Sequence, residues 1–150
     1  MKRIILISFL IFLDLLVKKV IFEYVDLHKF IYVTSFLDIT HIHNFGVSFG
    51  LFAGIISPLI LVLISSLVVI FLFYLMIISK DSLEKMGLVV IIAGAMGNII
   101  DRLFNGYVID FIYFHYKDFY WPAFNFADIY ITIGIIMILL SIINKIKYQP

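Results

Sequence analysis

The chain has 150 residues, of which 64% are hydrophobic and 14% charged, and its mean hydropathy is +1.16. These values exclude an ordinary soluble domain and indicate an integral membrane protein. The formal net charge of +1, with Lys and Arg scattered in ones and twos, excludes nucleic-acid binding, and the lack of cysteine excludes disulfides, thiolate metal sites and a cysteine nucleophile.

Four apolar runs each have about the length of a helix that crosses a bilayer. They cover approximately residues 4–22, 56–79, 86–104 and 126–143. We therefore predict an all-α integral membrane fold with four transmembrane helices. The length leaves no room for a separate soluble domain, so residues 1–150 are expected to form one membrane domain. The first run resembles a signal peptide but lacks a small-residue cleavage site and carries charges, so we expect it to be retained.

Two long connections, about residues 23–55 and 105–125, are rich in Phe, Tyr, Ile and Val in roughly alternating order. We predict that they form a small strand-rich cap at the membrane interface. Most basic residues flank the other ends of the apolar runs: Lys2, Arg3, Lys80, Lys85, Lys145 and Lys147. The positive-inside rule then predicts that both termini are cytoplasmic and that the cap faces outward.

Charged residues inside the apolar runs cost at least about 2.5–3.5 kcal/mol each near the middle of a bilayer, so they are expected to face other helices and find partners. Asp14 and Lys18 are four residues apart and lie on one helical face, as in a local ion pair with a snorkelling lysine. Asn98, Asp101 and Arg102 also form one stripe. This stripe is interpreted either as a structural network in which Arg102 holds Asp101 or as part of a site.

Asp110 and Asp128 stand on either side of one connection, and the helices before and after it run in opposite directions. Both carboxylates are therefore expected on the outer face, within reach of each other. Two adjacent carboxylates share a proton, so one can activate water while the other protonates a carbonyl oxygen. The alternative is a helix-terminal charge at Asp128 and an interfacial turn at Asp110. Asn125 is interpreted as a helix cap or as a residue that positions these carboxylates.

The histidines give a weak metal signal. His41 and His43 lie on one face of a predicted strand, but His28 and His115 lack the helical spacing of a zinc motif. A polar strand edge is the simpler interpretation, and we predict no metal site.

The segments AGAMGNIIDRLFNGYVIDF (93–111) and WPAFNFADIYI (121–131) resemble the lipoprotein signal peptidase family, signal peptidase II. Two further blocks agree in order and topology: DLLVK (14–18) and NFGVSFG (44–50). The resemblance thus covers nearly the whole chain. The departures are Leu15 and Val17, where the family often has Gln and a hydroxyl residue, and Phe45, Val47 and Ser48, where it usually has small residues; they concern the pocket wall.

The resemblance implies an aspartyl endopeptidase of the bacterial inner membrane. Such an enzyme cuts a diacylglyceryl-modified prolipoprotein just before its lipidated cysteine, at the periplasmic face, without metal or cofactor. Asp110 and Asp128 are implied as the catalytic pair. Site-supporting or substrate-binding roles are implied for Asp14, Lys18, Asn44, Gly46, Asn98, Asp101, Arg102 and Asn125.

The expected partners are the prolipoprotein and membrane lipid, with the protein acting as a monomer. The alternative function is a small transporter or proton-conducting protein, because charged residues in helices also mark ion paths. That function predicts polar groups throughout the membrane depth, whereas most here cluster toward one face.

Overall fold

The computed structural model describes residues 1–47 and 50–147. Its helices are α1 (Lys2–Tyr24), α2 (Pro58–Ile78), α3 (Ser82–Asn105) and α4 (Phe126–Lys147). Its strands are β1 (Phe30–Thr34), β2 (Leu37–Asn44), β3 (Val108–Tyr116) and β4 (Phe119–Tyr120). The sheet lies at one end of the helices, called here the outer end. The opposite end, with residues 79–85 and 141–147, is the inner end.

The predicted all-α fold with four transmembrane helices is wrong. The described residues contain a four-stranded antiparallel sheet beside the helices, and only α2, α3 and α4 are long and apolar enough to cross a membrane. α1 has sufficient length, but every window of 18 residues in it contains at least three charged residues, from a set that includes Asp14, Lys18 and Lys19. α1 is therefore long enough to cross a bilayer, but it contains too many charged residues to qualify as a membrane span by its composition.

α3 is the central helix of the bundle, because α1, α2 and α4 all pack against it. Small residues allow the closest approach. A Cβ at Gly94 would press on the backbone of Ala127 in α4, and a Cβ at Gly87 would lie 2.7 Å from the Gly134 carbonyl oxygen. The residues buried around α3 include Val89 and Ile92, which are fully covered. A Cβ at Gly97 would likewise lie 2.7 Å from Asp14 Oδ2, so α1 also approaches α3 closely.

α2 and α4 expose most of their apolar residues. In the most apolar 18-residue stretch of each helix, only 17% of the residues are buried within the protein. A water-soluble protein does not expose apolar surface on this scale. Lipid is the environment that this surface fits.

The predicted strand-rich cap is a sheet with strand order β1-β2-β3-β4. α3 ends at Asn105, and the φ of 79° at the following Gly106 provides the left-handed turn that directs the chain into β3. β2 and β3 then pair so that Asn44 is opposite Val108 and Ile42 is opposite Asp110. This register brings the end of β2 beside Asp110.

Candidate active site

Asp110 and Asp128, called here the aspartate pair, come from different kinds of element. Asp110 is the third residue of β3 and is 3% exposed, so it is not the turn residue of the alternative interpretation. Asp128 lies in the first turn of α4 and is only partly buried. A rigid strand and a helix N-terminus thus hold the two carboxylates.

Asn125 connects the aspartate pair. Its side-chain nitrogen donates to Asp110 Oδ1 at 2.6 Å, and its side-chain oxygen accepts from the backbone N–H of Asp128 at 3.0 Å. The backbone N–H of Asn125 in turn donates to Asp128 Oδ2 at 3.3 Å. This reciprocal arrangement is a capping box at the start of α4. Both interpretations of Asn125 therefore apply, because the helix cap also positions the carboxylates.

A second asparagine holds the other oxygen of Asp110. Asn44 Nδ2 donates to Asp110 Oδ2 at 3.0 Å, while Asn44 Oδ1 accepts from the backbone N–H of Gly46 at 2.9 Å. A Cβ at Gly46 would collide with the backbone of residues 50 and 51, so only glycine fits there. Arg102 Nη2 donates to the Gly46 carbonyl oxygen at 2.6 Å. Asn44, Gly46 and Arg102 together fix the chain that follows β2.

Arg102 does not hold Asp101 in the manner that the sequence suggested. Asp101 instead accepts hydrogen bonds from Asn105 Nδ2 at 2.6 Å and from the backbone N–H of Ile109 at 2.8 Å. Lys18 Nζ lies 3.5 Å from Asp101 Oδ2. The buried Nε–H of Arg102 has no hydrogen-bond partner within the described residues.

The Asp14–Lys18 ion pair is present within α1, but both residues also make contacts with other helices. Lys18 Nζ lies 2.8 Å from Asp14 Oδ2, and both side chains are almost completely buried. Lys18 also donates to Asn98 Oδ1 at 2.8 Å, and Asn98 Nδ2 donates to Asp128 Oδ1 at 3.0 Å. The lysine does not snorkel to the interface; it points into the site.

Carboxylates outnumber cations in this region. The four acids Asp14, Asp101, Asp110 and Asp128 share the space with Lys18 and Arg102. Burial, together with the neighbouring Asp128 charge, raises the pKa of Asp110 to about 7, against the opposing effect of its two amide donors. Near neutral pH the aspartate pair therefore retains a proton for an appreciable fraction of the time.

A cleft of about 910 Å³ opens beside the aspartate pair. Its polar lining consists chiefly of Asn44, Asn98, Arg102, Asp110, Asn125 and Asp128. The rest is mostly apolar and comes from α3, α4 and the aromatic residues of the sheet, such as Phe114 and Phe119, and α2 contributes Ser65. Such a mixture of apolar walls and convergent polar groups is typical of a ligand site.

All ten residues singled out from the sequence lie in this one connected network. The sequence did not indicate the backbone N–H groups of Ile109 and Ala127, which are buried partners of Asp101 and Asp14. No residue pattern marks a backbone donor, so only the fold reveals them. Of the departing residues, Val47 lines the cleft, and Ser48 lies outside the described residues.

His41 and His43 do not line the cleft, whereas His115 does. The His41 ring bonds to the Val25 carbonyl oxygen at 2.8 Å, and the His41 and His43 rings contact each other at 3.0 Å. His43 also stacks on Tyr107, with ring centroids 3.6 Å apart. These contacts join the end of α1 to the sheet.

The family model described as Signal peptidase (SPase) II matches residues 6–144. The chain belongs to the signal peptidase II family. It is accordingly a bacterial membrane protein, as the three span-length helices also indicate. The resemblance noted in the sequence is thereby confirmed.

Individual relatives agree with this assignment. A lipoprotein signal peptidase of Rickettsia canadensis is 45% identical over 109 residues, which are 71% of this chain and 56% of the relative. One from Wigglesworthia glossinidia brevipalpis is 36% identical, covering 85% of this chain and 84% of that protein. The matched region of this chain spans little more than half the length of the Rickettsia relatives.

A solved structure has nearly the same fold. The structure described as "Bacterial membrane enzyme structure by the in meso method at 2.3 A resolution" is 28% identical, with a TM-score of 0.91. The match covers 99% of this chain and 92% of that one. The combination of helices and sheet is therefore shared with a known bacterial membrane enzyme.

Proposed function

We propose that this protein is a membrane aspartyl endopeptidase that removes signal peptides from diacylglyceryl-modified prolipoproteins, cleaving just before the lipidated cysteine. The observation that carries the proposal is the aspartate pair, joined by Asn125 at the wall of the cleft. Membership of the signal peptidase II family supports it.

The two carboxylates are suited to different roles. Asp110 is buried and has a pKa of about 7, so we propose that it holds the shared proton and donates it to the scissile carbonyl oxygen. Asp128 is less buried and lies at a helix N-terminus, where the helix dipole favours a negative charge. It would take a proton from the attacking water. The water oxygen bonds to the carbonyl carbon, giving a tetrahedral intermediate. When this intermediate collapses, the C–N bond breaks, the departing amine receives the proton that Asp128 took from the water, and the proton on the former carbonyl oxygen returns to Asp110.

The supporting residues hold this arrangement before substrate enters. Asn44 and Asn125 fix Asp110, and Asn98 fixes one oxygen of Asp128. Because these donors are already in place, little reorganisation is needed during the reaction. The unpartnered Nε–H of Arg102, at the cleft wall, is available for a substrate carbonyl oxygen.

The shape of the cleft fits an acylated peptide. Ile131, Ile133 and Ile135 of α4 line the cleft, so its apolar wall adjoins the exposed apolar face of that helix, while α2 contributes Ser65. We propose that the acyl chains remain among lipid tails while the peptide reaches the aspartate pair. No cofactor or metal is required in this mechanism.

The remaining expectations complete the proposal. The basic residues at the inner end support, by the positive-inside rule, a cytoplasmic position for that end and both termini, with the aspartate pair facing the periplasm. We propose that the whole chain acts as one peptidase domain and as a monomer.

The test is cleavage of a purified diacylglyceryl-modified prolipoprotein by the protein in detergent, with the products identified by mass spectrometry. Asp110→Asn and Asp128→Asn are assayed beside the wild type, with and without a chelator. We expect cleavage just before the lipidated cysteine, unaffected by chelator, and a loss of about 10²–10⁴-fold in each variant.

A folded wild type that leaves the prolipoprotein intact would contradict the proposal and direct attention to ion-flux measurements. Full activity in either variant would remove that aspartate from the catalytic pair. Asn144→Ala, at an exposed position of the inner end, is the matched control and should cleave like the wild type.

A further inference from the structure

We propose that Lys18 is a positioning residue that holds Asp110 and Asp128 in mutual alignment through two buried carboxylates, and this inference rests on the proposed peptidase function. The group Asp14, Lys18 and Asp101 is called here the clamp. It lies behind the aspartate pair, and each of its carboxylates holds the backbone next to one member of the pair.

Asp14 and Asp101 make the same kind of contact, each with a backbone N–H group. Asp14 Oδ1 accepts from the backbone N–H of Ala127 at 2.9 Å, and Ala127 immediately precedes Asp128. Asp101 Oδ2 accepts from the backbone N–H of Ile109 at 2.8 Å, and Ile109 immediately precedes Asp110. Each member of the aspartate pair therefore follows a peptide group that a buried carboxylate holds.

Lys18 connects the two carboxylates of the clamp. Its Nζ lies 2.8 Å from Asp14 and 3.5 Å from Asp101, and it donates to Asn98 at 2.8 Å. The ammonium group donates one hydrogen bond to Asn98, and the two carboxylates compensate its charge. Asn98 then reaches the Asp128 side chain. One cation thus influences the backbone beside both aspartates and the side chain of one.

The surroundings indicate that this arrangement is specific. Lys18 is 1% exposed and Asp14 is fully buried, so each depends on the other for charge compensation. α3 has Gly97 opposite the clamp, where a Cβ would lie 2.7 Å from Asp14 Oδ2. An ordinary ion pair within α1 would require neither this space nor the contacts with α3 and α4.

The first experiment replaces the cation with a neutral chain of similar length, Lys18→Met. We expect kcat to fall by about 10²-fold with KM unchanged, because the substrate contacts remain while the carboxylates are displaced. The Lys18 charge also lowers the pKa of Asp110, so the alkaline limb of the kcat–pH profile, where the proton of Asp110 is lost, should move to higher pH. Lys18→Arg retains a cation that can bridge two carboxylates and should recover part of kcat.

A double-mutant cycle separates positioning from simple loss of stability. Asp14→Asn keeps an oxygen acceptor for Ala127 but loses the ion pair, so its defect should be smaller than that of Lys18→Met. The double variant should be no worse in kcat than Lys18→Met alone, because both changes disable one unit. Lys145→Met removes a cation that pairs with Glu84 at the inner end and should leave kcat unchanged.

Hydrogen exchange provides a readout that is independent of peptidase activity. In Lys18→Met, and in Asp14→Asn if the first variant does not fold, the amides of Ile109 and Ala127 should exchange faster than in the wild type. Unchanged protection of both amides, or an unchanged kcat and pH profile in the folded protein, would overturn the clamp. If the wild type fails to cleave prolipoprotein, the proposed function falls, while the exchange at these two amides still decides the clamp.

Discussion

The outer and inner ends of the bundle both join α3 to α4 with polar side chains, but they do so under different conditions. At the inner end Asp81 caps α3, accepting from the Glu84 N–H at 2.7 Å and from Ser141 Oγ at 2.8 Å. Glu84 pairs with Lys145 nearby. At the outer end the carboxylates of Asp14, Asp101 and Asp110 are almost completely buried.

The pKa of an aspartate is shifted in opposite directions at the two ends. Hydrogen bonds to the partly exposed Asp81 lower its pKa, as in an ordinary helix cap. Burial and a neighbouring carboxylate raise the pKa of Asp110 to about 7. A structure optimised for stability alone would not bury carboxylates in excess of cations, and such strained electrostatics is typical of functional sites.

The largest effect is expected from removing the link within the aspartate pair. Asn125→Ala deletes the amide that contacts Asp110 and the oxygen that caps α4, so kcat should fall by about 10²-fold. The loss of the cap should also lower the free energy of unfolding by about 1 kcal/mol. Steady-state cleavage and thermal melting in detergent measure the two effects. A normal kcat would show that the aspartates align without Asn125.

A pair of glycine substitutions on α3 compares the two ends directly. Gly97→Ala pushes on Asp14 at the outer end, and Gly87→Ala pushes on the Gly134 backbone at the inner end. Both should destabilise the protein, by about 1–3 kcal/mol through overpacking. Only Gly97→Ala should lower kcat per folded molecule. Equal kcat values for the two variants would contradict the special role of the outer end.

The pH dependence of stability should reveal the buried proton of Asp110. Its folded pKa of about 7 lies above the ordinary value of 3.8, so the folded state binds more protons between these pH values. The free energy of unfolding should therefore decrease as pH rises from about 4 to 7, by at most about 1.4 kcal/mol per unit, and then level off. Melting curves of wild type and Asp110→Asn across this range test the slope, which should be shallower in the variant.

The smallest effect is expected at the inner end. The lowered pKa of Asp81 means that its contribution to stability is present above the ordinary aspartate pKa and is lost as pH falls through the lowered value. Asp81→Asn should lower the melting temperature slightly at neutral pH and leave kcat unchanged. A change in its kcat–pH profile would mean that the inner end communicates with the aspartate pair.

Much of the site could be predicted because its residue types are costly in an apolar chain. Asp110, Asp128 and the stripe of Asn98, Asp101 and Arg102 stand out against the apolar runs, and all lie in one network. Their pairing could not be predicted. Helical spacing places Asp101 beside Arg102. In the fold, however, Asp101 forms an ion pair with Lys18, and Arg102 donates a hydrogen bond to the Gly46 carbonyl oxygen.

The fold was harder to predict than the site. Apolar length alone indicated four equivalent helices, yet α1 carries charges whose partners lie on other elements, and length does not encode that difference. The alternating aromatic segments indicated strands correctly. Their assembly into one sheet, with Asn44 beside Asp110, depends on long-range pairing that no local pattern records.

The bond between Asp14 and the Ala127 amide joins residues 113 positions apart, almost from one end of the described chain to the other. Contacts of this kind form late, because a long stretch of chain must be ordered before they close. A ribosome that has released α1, α2 and α3 has therefore produced no functional centre, since Asp128 and the cap that orients it are still to come. The aspartate pair is therefore assembled only when α4 packs against α3.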